Sequence, residues 1–269
     1  MDPYRYRPGR SPLLVSIPHA GTQVPPEMAA RMTEAAQALP DTDWHVDRLY
    51  DFLEDLDASV LAATQSRFVI DLNRAPDGAP LYPGASNTEL CPTTTFDEQP
   101  VYRAGEGPDE AEVAARRARV WRPYHERLQA ALEAIKARHG VALLWDAHSI
   151  RSRVPRFFEG RLPDLNFGTG GGATADPELV ARLADVATAS GYSHAVNGRF
   201  KGGYITRAYG RPAEGAHAVQ LELSQIIYMD EAPPYGFRED LAAGIRPALR
   251  RLLESAVNWV YRRGRLARG

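Results

Sequence analysis

Apolar runs of strand length alternate along this chain with longer stretches in which apolar residues recur every three or four positions. The short runs lie at 13–17 (LLVSI), 59–63, 68–72 (FVIDL), 141–145 (VALLW), 192–196 and 218–223, and they predict β-strands. The longer stretches predict helices. Across 42–56, Val46, Leu49, Tyr50, Leu53 and Leu56 keep helical spacing. Segment 109–139 is one long helical stretch, kinked or broken at Pro123 and stopped by Gly140. Asp176 before Pro177 caps a helix that runs to about Ser190, and 238–262 closes the chain as an amphipathic helix with basic flanks. This alternation predicts an α/β fold with a mixed, mostly parallel sheet and helices on both faces. No repeat, low-complexity linker or break in composition divides residues 1–269, which read as a single domain.

Three stretches lack either period: 74–108, 149–175 and 198–215. Irregular segments of that length in a folded domain are usually functional loops. In an open α/β sheet the ligand lies beyond the carboxyl ends of the strands, so the polar residues there come under scrutiny first. The strand at 13–17 runs into Pro18 and His19. The strand at 141–145 ends on Asp146, Ala147 and His148. Asp43, His45 and Asp47 open the helical stretch at 42–56, and Glu222 interrupts the apolar alternation of VQLELS. Singly, each has a plainer reading. A strand-end histidine is often a hydrogen-bonding surface group, an acid at a helix start is usually a cap, and Glu222 could face solvent on an edge strand.

Taken together, two histidines and one carboxylate are the protein ligands of an open catalytic zinc site. A separate carboxylate then serves as general base, and Asp146 is placed to orient a ligand imidazole. Asn73 and Arg74 put an amide and a guanidinium side by side, a pair suited to gripping a carboxylate, although Asn-Arg-Ala-Pro is also an ordinary turn. Arg67, at the head of the same segment, could stabilise an oxyanion.

Composition removes several other classes. Of 269 residues, 44% are hydrophobic and 25% charged, enough for a packed core. A net charge of −2 with interspersed signs argues against a nucleic-acid or anionic-membrane partner. No apolar run approaches the ~20 residues of a membrane helix. The N-terminal apolar run, followed at once by Pro18 and His19, reads as a first strand rather than a signal peptide. Cys91 is the sole cysteine, which excludes an internal disulfide and makes a cytoplasmic setting the expectation. The glycine-rich FGTGGGATADPELV has no G-x-x-x-x-G-K-[ST] pattern and reads as a loop entering a capped helix. ARRARVWRPYHERL reads as a solvated helix face rather than an RNA-binding one. Nothing in the pattern specifies an oligomeric state.

The segments SIPHAG, DTDWHVDRLYDF, SRFVIDLNR, LLWDAHSIRS, NGRFKGGYITRAYG and AVQLELS together resemble the N-formylglutamate amidohydrolase family, in the expected order from about residue 13 to 230. That family is similar in layout to zinc carboxypeptidases and aspartoacylase-type amidohydrolases. Those enzymes hold zinc with His, an acid and a second His, bind substrate through Arg and an Asn-Arg pair, and use a late Glu as base. The resemblance therefore implies a zinc-carboxypeptidase-like fold and Zn2+, or another divalent metal, on His19 and His148. It implies Glu222 as the catalytic glutamate, Asn73 and Arg74 as the carboxylate clamp, and Arg67 as the oxyanion partner. The chain departs from the relatives' H-x-x-E spacing, since His19 is followed by Ala20, Gly21 and Thr22. Asp43 is the expected middle ligand, with His45 and Asp47 as the other choices.

The implied reaction is hydrolysis of N-formyl-L-glutamate to formate and L-glutamate, the last step of a histidine degradation route, with a small-molecule substrate and neither nucleic acid nor membrane as a partner. A substrate with two carboxylates calls for a second cationic anchor. Arg207 and Arg151 are the candidates, ahead of Lys201 because a bidentate grip favours arginine. Gly202 and Gly203 suit a loop whose backbone closes near the substrate.

Overall fold

The computed structural model of the protein describes residues 2–81, 84 and 86–266. Its strands are β1 (Tyr4–Arg7), β2 (Leu13–Ile17), β3 (Ser59–Ala63), β4 (Ala142–Ile150), β5 (Leu165–Gly168), β6 (His194–Val196) and β7 (Ala216–Ser224). They form one seven-stranded sheet in the order β1-β3-β2-β4-β7-β5-β6. The central run β3-β2-β4-β7 is parallel. At one edge β1 pairs antiparallel with β3; at the other β5 runs antiparallel to β7 and parallel to β6. Among the described residues the α-helices are α1 (Pro26–Ala29), α2 (Glu34–Gln37), α3 (Val46–Leu49), α4 (Glu110–Arg116), α5 (Arg122–His139), α6 (Pro177–Ser190), α7 (Tyr204–Tyr209) and α8 (Glu239–Leu266). None of them is long and apolar enough to cross a membrane.

Alternate residues of each central strand point to opposite faces, which produces two cores. Leu13, Val15, Leu143, Trp145, Val219 and Leu221 pack beneath α3, α6 and α8. Leu14, Ala142, Leu144 and Ala218 pack on the other side, beneath Tyr124, Leu128 and Ile135 of α5. The expected α/β architecture, mostly parallel and covered on both faces, is what the chain adopts.

Several elements differ from the sequence reading. FVIDL is not a strand. Phe68, Val69, Ile70 and Leu72 are buried as a strand's would be, yet the segment coils through turns. Its carbonyls find side chains instead of a neighbouring strand: Arg116 donates to Val69 O at 2.9 Å and His125 Nε2 lies 2.9 Å from Leu72 O. Those contacts meet the requirement that buried backbone groups be paired. The helix expected over 42–56 is cut to α3 and a 3-10 turn, because His45 takes a left-handed φ of 62°. The long stretch at 109–139 breaks into α4, a π-helical turn (Arg117–Trp121) and α5, which has Pro123 in its first turn. The predicted strand at 192–196 is reduced to β6. Two strands went unforeseen, β1 and β5, both too short to show a period.

Candidate functional site

On the α5 face the strands change character toward their carboxyl ends. Leu14 of β2 is followed on that face by Ser16, Leu144 of β4 by Asp146 and His148, and Ala218 of β7 by Gln220 and Glu222. All of these polar side chains are buried. The parallel register sets Ser16 beside Asp146, Asp146 beside Gln220, and His148 beside Glu222. Just past β2, His19 joins them, and its carbonyl accepts from Asp43 N at 3.0 Å, which draws the following loop to the same spot.

His19, Asp43 and His148 form a buried triad whose ligand atoms all lie within 4.8 Å of one another. Asp43 Oδ2 is 3.0 Å from His148 Nδ1 and 3.8 Å from His19 Nδ1. Two donors ~2.0–2.1 Å from a tetrahedral ion stand about 3.3 Å apart, so these separations bracket the value for a bound zinc. His19 Nδ1 is buried and has no hydrogen-bond partner, whereas Nε2 of the same ring lies 2.8 Å from Asp71 Oδ1. His148 repeats the arrangement, with Nε2 3.1 Å from Asp146 Oδ2 and Nδ1 turned toward Asp43. Carboxylates that hold both Nε2 atoms leave both Nδ1 atoms turned toward the Asp43 carboxylate, the outer-shell pattern of histidine ligands. The donor set therefore fits a divalent metal. His45 Nε2 instead lies 2.7 Å from Tyr235 O, and Asp47 pairs with Arg5 at the surface.

Charge balances tightly here. Burial and the Arg67 guanidinium hold His19 below its ordinary pKa. For His148, burial opposes the charged form, but Asp146 and Asp43 outweigh it and keep the imidazole well above the usual range. Asp71 is buried as well, yet Arg74, His19 and Arg67 hold it well below the normal carboxylate value. Arg67 reaches Asp71 Oδ2 at 2.7 Å and Asp43 Oδ1 at 3.7 Å, and its guanidinium lies over the Phe96 ring. Glu222 behaves differently. Burial above all, against the pull of His148, lifts its carboxyl to about 8, and Gln220 donates to its Oε2 at 3.2 Å.

A cleft of about 590 Å³, counting its mouth, opens over these groups. His19, Asp43, Arg67, His148 and Glu222 line it, and so do Asn73 and Arg74. The Asn73 amide oxygen accepts from Ile205 N at 2.8 Å, and its Nδ2 lies beside the His148 ring, 3.0 Å from Nε2. Gly203 explains how α7 approaches so closely, since a Cβ there would stand 2.2 Å from Asn73 Nδ2. Arg74 donates to Thr88 Oγ1 at 2.7 Å and lies 3.8 Å from Asp71. Arg151 and Arg207 are not among the lining residues. Arg151 pairs with Asp97 at 2.9 Å, and Arg207 donates to Leu81 O at 3.1 Å. Sequence reasoning misses Asp71, hidden inside the apolar run FVIDL, and Arg199, which lines the cleft from a loop. Asp71 carried a usable signal, a carboxylate set among apolar residues just as Glu222 is.

The N-formylglutamate amidohydrolase family model matches residues 11–229. The N-formylglutamate deformylase of Pseudomonas aeruginosa is 55% identical over 255 residues, covering 94% of this chain and 96% of that protein. The N-formylglutamate deformylase of Pseudomonas putida is 51% identical over 255 residues, covering 94% and 95%. The crystal structure of N-formylglutamate amidohydrolase from Ralstonia eutropha JMP134 superposes with a TM-score of 0.79 at 27% identity, covering 100% of this chain and 99% of that one.

Proposed function

The chain belongs to the N-formylglutamate amidohydrolase family, and from that premise we propose that it hydrolyses N-formyl-L-glutamate to formate and L-glutamate, using zinc held by His19, Asp43 and His148. One observation carries the metal assignment. His19 Nδ1 is buried, lacks a partner, and faces the Asp43 carboxylate and His148. When bound, zinc polarises the formyl carbonyl and acidifies water.

The remaining work falls to the chain's own residues. Asp71 and Asp146 fix the two ligand imidazoles by accepting their Nε2 protons. Glu222 receives a proton from the attacking water on its carboxylate and passes it to the departing amine nitrogen. A carboxyl poised near neutral pH suits both halves of that transfer. Arg67, held rigid by Asp71, stabilises the negative charge that develops on the formyl oxygen. Arg74 receives the carboxylate nearest the amide. Asn73 packs beside His148 and ties α7 to the site through its amide oxygen.

The test is formate release from N-formyl-L-glutamate by metal-stripped protein, before and after zinc is restored, alongside N-acetyl- and N-succinyl-L-glutamate. Zinc-dependent release confined to the formyl substrate is the expected result. Faster release from a bulkier acyl group would assign the site to a different acyl-amino-acid hydrolase, and no turnover with any divalent metal would sink the hydrolytic reading.

A further inference from the structure

Of the three triad residues, His148 belongs to β4 and His19 directly follows β2, whereas Asp43 sits in a run of turns between α2 and α3. With no strand ladder to fix that stretch, its buried carbonyls depend on side chains for partners. Those side chains come from the turn that directly follows β7, the strand carrying Glu222. Gln225 Nε2 donates to Thr42 O at 3.0 Å, and Tyr228 Oη donates to Trp44 O at 2.8 Å. The carbonyls of the residues on either side of Asp43 are thus both gripped from one place. Both gripping side chains also meet Ser149 Oγ, Gln225 Nε2 at 3.2 Å and Tyr228 Oη at 2.6 Å. Ser149 in turn donates its backbone N–H to Asp43 Oδ2 at 3.1 Å.

The protons of this cluster admit one arrangement. A carbonyl oxygen only accepts. Thr42 O therefore faces the amide nitrogen of Gln225 rather than its oxygen, and the second amide hydrogen is left for Ser149 Oγ. Trp44 O likewise takes the single phenol proton of Tyr228, so Tyr228 Oη accepts from the Ser149 hydroxyl. Each proton has one acceptor, and Gln225, Tyr228 and Ser149 are all buried. The turn itself is stiffened by Met229 N to Gln225 O at 3.0 Å and Arg238 N to Tyr228 O at 3.0 Å. A third tie runs the other way: half-buried His45 donates from Nε2 to Tyr235 O at 2.7 Å. The segment after β7 therefore holds the Asp43 loop at residues 42, 44 and 45.

Resting on the metal site proposed above, we infer that Tyr228 and Gln225 are positioning residues that hold the Asp43 carboxylate in place to complete the metal site with His19 and His148. Their hydrogen bonds go to the flanking backbone and to Ser149, and the Ser149 N–H carries the connection on to Asp43 Oδ2. Each ligand histidine already has an orienting carboxylate, Asp71 for His19 and Asp146 for His148. The clamp after β7 does for the acidic ligand what those carboxylates do for the imidazoles. A buried network in which every member is paired specifies one geometry, and outer partners of this kind contribute about 10- to 100-fold to metal affinity. The clamp also gives His45 a role other than that of a ligand.

The experiment removes one oxygen. Tyr228→Phe keeps the buried ring and deletes the hydroxyl that joins Trp44 O to Ser149. Zinc affinity is measured by chelator competition, the visible spectrum is recorded with cobalt in place of zinc, and urea unfolding of the metal-stripped protein reports stability separately. Affinity is expected to fall about 10-fold, the lower end for groups that orient a ligand from outside, and the cobalt bands to shift as the carboxylate moves. Unchanged zinc affinity, whatever the stability of the metal-stripped protein, would show that the clamp merely packs the turn and would overturn the proposal. So would weaker zinc binding with unaltered cobalt bands, because Asp43 would then have kept its place. His45 supplies a second comparison outside the core, which decides the matter if Tyr228→Phe does not fold. His45→Leu loses the donor to Tyr235 O and His45→Gln restores one at similar reach, so the leucine variant should bind zinc more weakly than the glutamine variant. Equal affinities in the two would overturn the proposal, since a donor to Tyr235 O would then count for nothing. A wild type that binds neither zinc nor cobalt overturns the metal site itself, a result distinct from any difference among the variants.

Discussion

Glu222 and Asp71 show how one chemical group, a buried carboxylate, is set to two different tasks around the same histidines. Both are fully buried, and burial alone would neutralise either. Asp71 has Arg67, Arg74 and His19 about it and stays ionised far below the ordinary range. Glu222 has His148 and Arg67 opposing its burial, but Asp43 and Asp146 add to the burial and it is lifted to about 8. One carboxylate is thus a fixed charge that orients the His19 imidazole, and the other is able to gain and lose a proton. Separate experiments should tell the roles apart. Glu222→Gln keeps the shape and removes the proton acceptor, so formate release should drop by about 10²–10⁴-fold while zinc content by elemental analysis stays at the wild-type level. Asp71→Asn should act on the metal instead, weakening zinc by about 10- to 100-fold in competition with a chromophoric chelator. If both variants lost zinc equally, the division between base and orienting group would not stand.

At the scale of elements, the segment carrying Arg67, Asp71, Asn73 and Arg74 is held by side chains from the α4–α5 region. Arg116, from the last turn of α4, donates to Val69 O at 2.9 Å and to Tyr102 Oη at 2.8 Å. Trp121, within the π-helical turn, donates to Arg74 O at 3.0 Å, and His125 of α5 reaches Leu72 O at 2.9 Å. A wide turn between two helices is a common device at functional sites. Here it lets three successive stretches of helix address one coiled segment. Arg116→Leu is expected to lower unfolding free energy by about 2–4 kcal/mol, since it strands buried carbonyls and breaks a buried network. Urea denaturation followed by tryptophan fluorescence measures this, and a change below 1 kcal/mol would mean that water replaces the guanidinium freely. The same segment shows where sequence reading stops. FVIDL has a strand's burial, and periodicity cannot distinguish a run paired by a neighbouring strand from one paired by distant side chains. His19, His148 and Glu222 were legible because each breaks an apolar run at a strand end. Asp43 rested on a weaker sign, its place at a helix start. Arg199 carried no local sign, because its place on the cleft depends on a loop fixed by Asn197, Gln220 and Asn73.

Across the whole molecule, polar residues buried under α5 link the core to solution pH. His125 is enclosed by Trp121, whose ring stacks at 3.7 Å, and by Tyr204 and Tyr209. Its Nε2 lies 2.9 Å from Leu72 O and its Nδ1 2.9 Å from Tyr209 Oη. The carbonyl can only accept, so Nε2 carries the proton and Nδ1 accepts from the tyrosine, which defines a neutral ring. Burial holds this histidine down at about 4, against ~6.5 in an unfolded chain. Between those values the unfolded state binds a proton that the native state refuses. Stability from this group is therefore fully present above pH 6.5 and is lost as pH falls toward 4, at about 1.4 kcal/mol per pH unit and roughly 3 kcal/mol in total. Other groups titrate over the same range, so the informative quantity is the difference between wild type and His125→Gln, whose amide carries no titrating proton. Denaturant midpoints taken from pH 7 to 4.5 are expected to converge as pH falls, the wild type losing its advantage over the variant. Parallel curves would place His125 in contact with water and remove the core from the protein's acid response.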